Sequence, residues 1–157
     1  MAINSAANTK VYIGPTTAAA DATAYAALSW TEIKEVESLP AFGDSASTIN
    51  FTALADARVR KRKGARDAGQ LAFNCAHDPL DPGQLAAIAA EQTKSAYAFK
   101  VVLEDSADAN DTDSIFYFHA LVSECKTVPG AVNDIIKRAI KLDIDTAVIA
   151  VLSTAVA

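Results

Sequence analysis

The segment Ile136-Lys137-Arg138-Ala139-Ile140-Lys141-Leu142-Asp143-Ile144-Asp145 decides the fold class. Ile136, Ile140, Leu142 and Ile144 fall on one face while Lys137, Lys141, Asp143 and Asp145 take the other, the period of two that a strand imposes on its side chains. Just upstream stands Val128-Pro129-Gly130, and Pro-Gly chemistry between strands predicts an antiparallel connection. Before that turn, Ile115 to Cys125 begins apolar on both faces (Ile115, Phe116, Tyr117, Phe118), as a strand covered on both sides does. Further outward, Tyr97, Phe99, Val101 and Leu103 share a face, and Leu71, Phe73 and Cys75 repeat the pattern. Ile49, Phe51 and Ala53 alternate with Thr48, Asn50 and Thr52, which predicts another strand with one apolar and one polar face.

One segment departs from this period. Asp81-Pro82-Gly83-Gln84 places a capping side chain before a proline at the first helical position, with an amide three residues after the cap. Leu85, Ile88 and Ala89 follow at helical spacing, so a short amphipathic helix is expected here. From Trp30 through Ile33 to Val36 the spacing is three, but the Thr, Ile and Val content and the Pro40 to Gly43 turn favour a strand with an irregularity. The expected architecture is mainly β: roughly seven strands in an antiparallel sandwich or open barrel, with one flanking α-helix over an end or a face.

The 157 residues suit one domain, 1–157, and with 51% hydrophobic residues they can bury a sizeable core, although much of that fraction is alanine. Met1 to Thr9 has no apolar stretch after a basic start, so no secretory signal is expected. The longest apolar run, Ala147 to Leu152, is too short to cross a bilayer, which predicts a soluble protein made in the cytosol with no membrane partner. Cys75 and Cys125 lie fifty residues apart, compatible with reduced core thiols and without zinc spacing.

Charge is polarised along the chain. Arg58, Arg60, Lys61, Arg62, Lys63 and Arg66 fall between the strand at Ile49 and the strand at Leu71, where a long hairpin arm or loop is expected. Without that window, eight Lys and Arg face nineteen Asp and Glu, a formal charge of −11. The ordinary reading of such a run is a solvated edge kept from wrong pairing. Phosphate is another partner for it, but a dedicated duplex binder is basic as a whole domain and this sequence has a pI near 4.9. A positive segment on a strongly negative body also docks on copies of that body, which suits self-assembly. Glu104, Asp105, Asp108, Asp111 and Asp113 form an acidic loop between two good strands and are the candidate acceptors.

No catalytic constellation emerges. Cys75 and His77 lie two apart and share a strand face; His119 and Cys125 are the other candidates for a metal or thiol site. A tetrahedral site needs all four together, and their strand faces disagree. The sequence has no P-loop, no paired-glycine cofactor fingerprint and no serine nucleophile elbow. No enzyme, cofactor or metal is therefore expected.

The order of features resembles the tail tube proteins of long-tailed, double-stranded DNA bacteriophages. The resemblance rests on Val11-Tyr12-Ile13-Gly14, on Trp30, Ile33 and Val36 leading to Leu39-Pro40-Ala41-Phe42-Gly43, and on Ile49-Asn50-Phe51-Thr52-Ala53-Leu54 before the basic arm. Asp67-Ala68-Gly69-Gln70-Leu71, the Gly83-Gln84-Leu85 helix, Phe116-Tyr117-Phe118 and the Gly130 to Asp145 hairpin complete it. It implies a structural virion protein forming hexameric rings that stack into a hollow tube, assembled in the host cytoplasm, through which DNA passes as cargo. It also implies a tape-measure protein in the lumen, terminator and baseplate partners, and a sheath where the tail is contractile. In that family a long loop or hairpin reaches a neighbouring ring, and here Ala57 to Arg66 holds that position. A nucleic-acid-binding accessory protein, or a terminator or contractile-machine tube of the same fold, is the alternative. The acidic insertion from Ala107 to Asp113 and the apolar end from Ala147 to Ala157 have no counterpart in the resemblance.

Overall fold

A computed structural model describes residues 3–154; Met1, Ala2 and residues 155–157, the outer ends of the two terminal segments noted above, lie outside it. The chain is mainly β, with ten strands and two helices among the described residues rather than seven and one. In order these are β1 (Lys10–Ile13), α1 (Ala22–Ala26), β2 (Thr31–Ile33), β3 (Val36–Ser38), β4 (Ser45–Thr52), β5 (Val59–Asp67) and β6 (Gln70–Ala76). There follow α2 (Pro82–Glu91), β7 (Tyr97–Val102), β8 (Ile115–Val128), β9 (Lys137–Ile144) and β10 (Ile149–Val151).

Eight strands form one antiparallel sheet in the order β2-β1-β7-β8-β9-β6-β3, with β10 added to β8, while β4 and β5 pair only with each other. The irregular strand expected from Trp30 to Val36 is two strands, and they occupy the two opposite edges of this sheet. Only Lys34 and Glu35 join them, so the sheet has to curl until its edges meet. The ladder breaks at that junction, where Glu35 adopts a left-handed φ of 60°. The result is an open curl, not a closed barrel.

Alternation along the strands places the core inside the curl. Leu71, Phe73 and Cys75 from β6, Phe99 and Val101 from β7, and Ile140 and Leu142 from β9 are buried there, as their parity predicts. Phe118 stacks on Phe99 with ring centroids 5.9 Å apart. Phe42, from the turn before β4, meets Phe116 edge-on at 5.4 Å. Helix α2 packs against β1, β2 and β8 and buries Ala87 and Ala90. Gly83 lies directly on the Glu32–Ile33 backbone, where a Cβ would overlap the Glu32 carbonyl.

The cap of α2 works as the sequence predicts on one side. Asp81 Oδ2 accepts from the backbone N–H of Gln84 at 3.2 Å, and also from that of Lys34 at 3.0 Å. Gln84 does not reach back to its own cap: its amide oxygen accepts from the Asp78 N–H at 3.1 Å, and its Nε2 donates to the Ala76 carbonyl at 2.8 Å. The pair therefore fastens the helix to the β2–β3 junction and to the end of β6. The second helix, α1, covers the outer face, where Tyr25 stacks on Tyr117 at 5.3 Å. This is why the start of β8 is apolar on both faces, with Phe118 inward and Tyr117 under α1.

Two positions depart from the expected pattern. Ile136 precedes β9 and is exposed, and the inward place before Ile140 belongs to Arg138, which is 8% exposed. The strand at Ile49 exists, but its apolar face is not part of the core: Ile49 is 57% and Phe51 64% exposed. Strand parity reports a two-faced strand, and cannot report whether anything in the same chain covers the apolar face.

Candidate assembly surface

The cationic run is β5, paired in register with β4: Thr52 faces Val59, Phe51 faces Arg60, Asn50 faces Lys61, Ile49 faces Arg62 and Thr48 faces Lys63. Directly opposed residues share a face of a two-stranded ribbon. One face therefore carries Ile49 and Phe51 with Arg60 and Arg62; the other carries Thr48, Asn50, Thr52, Val59, Lys61 and Lys63. Gly64 continues the first face, because the space where its Cβ would stand is filled by Ser47 and Ile49. The register shifts between Ala46 and Thr48, next to that glycine.

The ribbon turns at residues 53–58, where the Ala53 carbonyl accepts from the N–H groups of Asp56 and Ala57, and Ala57 takes a φ of 47°. Leu54 at this tip is fully exposed. Arg60 is tied to the tip by Asp56, with Nη2 2.6 Å from Oδ2, and Arg66 reaches Asp44 at the root at 3.6 Å. A lone hairpin is at best marginally stable in water, so a ribbon exposed on both faces gains from any surface that covers it.

The acidic loop joins β7 to β8. Asp105 Oδ1 accepts from the Ser114 N–H and its Oδ2 from the Ser114 hydroxyl, both at 2.7 Å. Those two hydrogen bonds hold the Asp105 carboxyl below the usual aspartate range. Asp113 accepts from the Ser106 N–H at 3.2 Å, Glu104 accepts from Asn8, and the Asp108 carbonyl accepts from the Asp111 N–H at 3.0 Å. Part of the acidic set thus organises its own loop. Because the folded Asp105 carboxyl titrates low, its bonds to Ser114 are present above the ordinary aspartate range and are lost as pH falls through the depressed value. Ser114→Ala is expected to raise the Asp105 midpoint in a carboxyl NMR titration; an unchanged midpoint would show that Ser114 does not set it.

Strand register places the arm and the acidic loop on the same end of the curl. β6 starts at Gln70 opposite Asp143, three residues after the arm ends, and β7 ends at Val102 opposite Ile115, where the acidic loop begins and ends. At the other end lie Ala76, Val128 and Lys137.

The sequence profile of the phage tail tube protein family, TTP, matches residues 6–152. The chain belongs to the phage tail tube protein family. No curated protein matches it in sequence. Among solved structures, it is similar to the sheath/tube terminator of the extracellular contractile injection system PVC, with TM-score 0.71 at 15% identity over 96% of this chain and 98% of that one. It is also similar to the SPP1 tail tube, with TM-score 0.64 at 14% identity over 92% of this chain and 77% of that one. A chain from the PVC sheath–tube complex gives TM-score 0.62 at 17% identity, over 94% and 88% of the two chains. The fold is thus shared with tube and terminator chains, and the family places this protein among the structural components of a phage tail.

In this tail tube protein the four candidate metal or thiol residues divide into two groups. His119 lies under α1, with Nδ1 2.7 Å from the Tyr25 hydroxyl and Nε2 2.8 Å from the Thr17 carbonyl. The carbonyl accepts only, so Nε2 carries a proton, and in the neutral ring Nδ1 accepts from Tyr25. Cys75, His77 and Cys125 surround Arg138 inside the curl: Nη2 of Arg138 is 3.0 Å from His77 Nδ1, and Nη1 is 3.8 Å from Cys125 Sγ. A register shift between Val122 and Glu124 turns Cys125 to the opposite face from His119. Strand β9 separates β6 from β8, which puts Cys75 and Cys125 two strands apart, beyond the Cα spacing a disulfide spans. Burial pushes the Cys75 thiol up to about 11, so it stays protonated near neutral pH and is a poor nucleophile.

Sequence reasoning missed Ile49 and Phe51 as surface residues. The signal for them was available: segments of eight and nine residues flank the turn at residues 53–58, so β4 has β5 as its natural partner. Helix α1 gives a weaker signal, since five residues are too few to show a helical period.

Proposed function

We propose that this chain is the tube subunit itself: one tail-tube domain over its length, which forms hexameric rings that stack into the hollow tail tube through which DNA passes during ejection. The observation that carries the reading is the β4–β5 ribbon, which leaves the body, is exposed on both faces and bears six of the fourteen Lys and Arg of the chain. Arg58, Arg60, Lys61, Arg62, Lys63 and Arg66 contact an adjacent copy. That copy lies in a neighbouring ring, and its Glu104, Asp105, Asp108, Asp111 and Asp113 remain the candidate acceptors. The bore carries the net negative charge of the body, so DNA slides through without sticking. Tape-measure, terminator and baseplate proteins are its tail partners, a sheath is added in a contractile tail, and assembly takes place in the host cytoplasm. No catalytic step is assigned to the chain.

Negative-stain electron microscopy of the purified protein, concentrated at low salt and then at high salt, tests this. Stacked rings with a central channel are expected at low salt, with fewer or shorter stacks at high salt because exposed ion pairs are screened. A persistent monomer that retards DNA with a steep salt slope would overturn the tube reading in favour of a nucleic-acid-binding protein. Tight, salt-sensitive DNA binding by assembled tubes would overturn the sliding bore.

A further inference from the structure

Exposed large apolar side chains concentrate in two places. One is the arm, with Ile49, Phe51, Leu54 and Val59; the other is the connection between β8 and β9, with Val128, Val132, Ile135 and Ile136. Ile135 is 69% exposed and Val132 fully so. Single exposed apolar residues are ordinary, but grouped ones mark surfaces that another molecule covers. The two groups lie at opposite ends of the curl, since the arm precedes Gln70 at the start of β6 while the connection follows Val128 and leads to Lys137.

Their chemistry is complementary. Beneath the β8–β9 connection a groove of about 480 Å³ is lined by Val128, Gly130, Asn133, Asp134, Ile135 and Lys137, with Glu37 contributed by β3. Lys137 is held by Glu37 at 2.8 Å, so that pair is neutral and Asp134 is the carboxylate left on a polar rim around Val128 and Ile135. Gly130 has a φ of 74° and packs on Asp134, whose carboxylate accepts from the Ala131 N–H at 2.8 Å. The connection is thus a shaped loop whose apolar side chains point outward. On the arm, the face with Ile49 and Phe51 also carries Arg60 and Arg62, so apolar centre and charged flank match in both partners.

We propose that the Ile49–Phe51 face of the arm seats in the groove beneath the β8–β9 connection of a second copy stacked end to end. This rests on the tube reading and names the surface that receives the arm. The contact is heterologous: arm at one end, receptor at the other, so each copy receives one arm and delivers one, and the contact propagates along an axis without closing. Arg62 stands over the carboxylate of Asp134 while Arg60 stays with Asp56 at the tip, and Lys61 and Lys63, on the opposite face, are left for the acidic loop of another copy.

Paired cysteines test this. The chain with Ile49→Cys and Ile135→Cys, oxidised under assembly conditions, is expected to give a ladder of covalently linked copies on non-reducing gels; Cys75 and Cys125 are inside the curl and serve as background in the unsubstituted chain. The control combines Ile49→Cys with Asp108→Cys in the acidic loop. A ladder from the control and none from the first pair, in a preparation that forms tubes, overturns the groove while the tube reading stands. A chain that stays monomeric with every pair overturns both. Ile135→Ser provides a second readout: rings without long stacks are expected, with the monomer's melting temperature unchanged, and stacks of ordinary length from this variant would also overturn the groove.

Discussion

Serine at Arg60, Lys61, Arg62 and Lys63 is expected to leave a folded monomer that no longer forms tubes. The arm residues are exposed and β4 and β5 pair only with each other, so the body loses nothing it packs against. Substitutions at such positions change monomer stability by about 0.5 kcal/mol or less. Assembly responds differently because the arm is repeated. An exposed ion pair contributes about 0.5 kcal/mol, so four cations supply roughly 2 kcal/mol per arm and on the order of 10 kcal/mol around a hexameric ring. Thermal melting of the monomer and electron microscopy of the concentrated protein separate the two effects. Normal tubes from the variant would remove the cations from the assembly contact; a large drop in melting temperature would show that the ribbon belongs to the body after all.

Phe118→Ala has the converse signature. Phe118 is fully buried between Phe99 and Phe42 at the centre of the curl. Truncation removes its burial and leaves a cavity that the surrounding strands close only partly, at an expected cost of about 3–5 kcal/mol. Domains of this size are stable by only about 5–15 kcal/mol, so chemical denaturation should show a large fall in midpoint with little change in slope. Tubes are then lost because folded subunits are scarce, and a lower temperature should restore them if enough folded protein remains. A loss below about 1.5 kcal/mol would mean that Phe42 and Phe99 collapse into the space, as in volume-conserving exchanges.

These two positions show what could be read in advance. Phe118 announces itself: it sits in a run apolar on both faces, and such a run has few homes other than a strand covered twice. The same holds for Leu71, Phe73 and Cys75, and for the Asp81 cap, whose consequences are local and physical. Phe51 carries the same alternation as Phe73, yet one is exposed and the other buried. Periodicity reports that a strand has an apolar face; which surface covers that face depends on strands distant in sequence, or on another chain. The basic run was legible as an arm, and the division of its arginines and lysines between two faces appears only once the register with β4 is known.

From the sequence alone came the mainly β class, the helix at Asp81, the polarised charge and the family resemblance, because each depends on residue type and near-neighbour spacing. The tertiary structure decided that β2 and β3 form the two edges of one curled sheet, that β4 leaves the core for the arm, and that Cys75 and Cys125 are held apart by β9. It also decided that the apolar arm and the apolar β8–β9 connection stand at opposite ends. Each of these rests on which strands pair across long separations, and pairing is selected by the packing of the whole core, to which every strand contributes and which no single segment specifies.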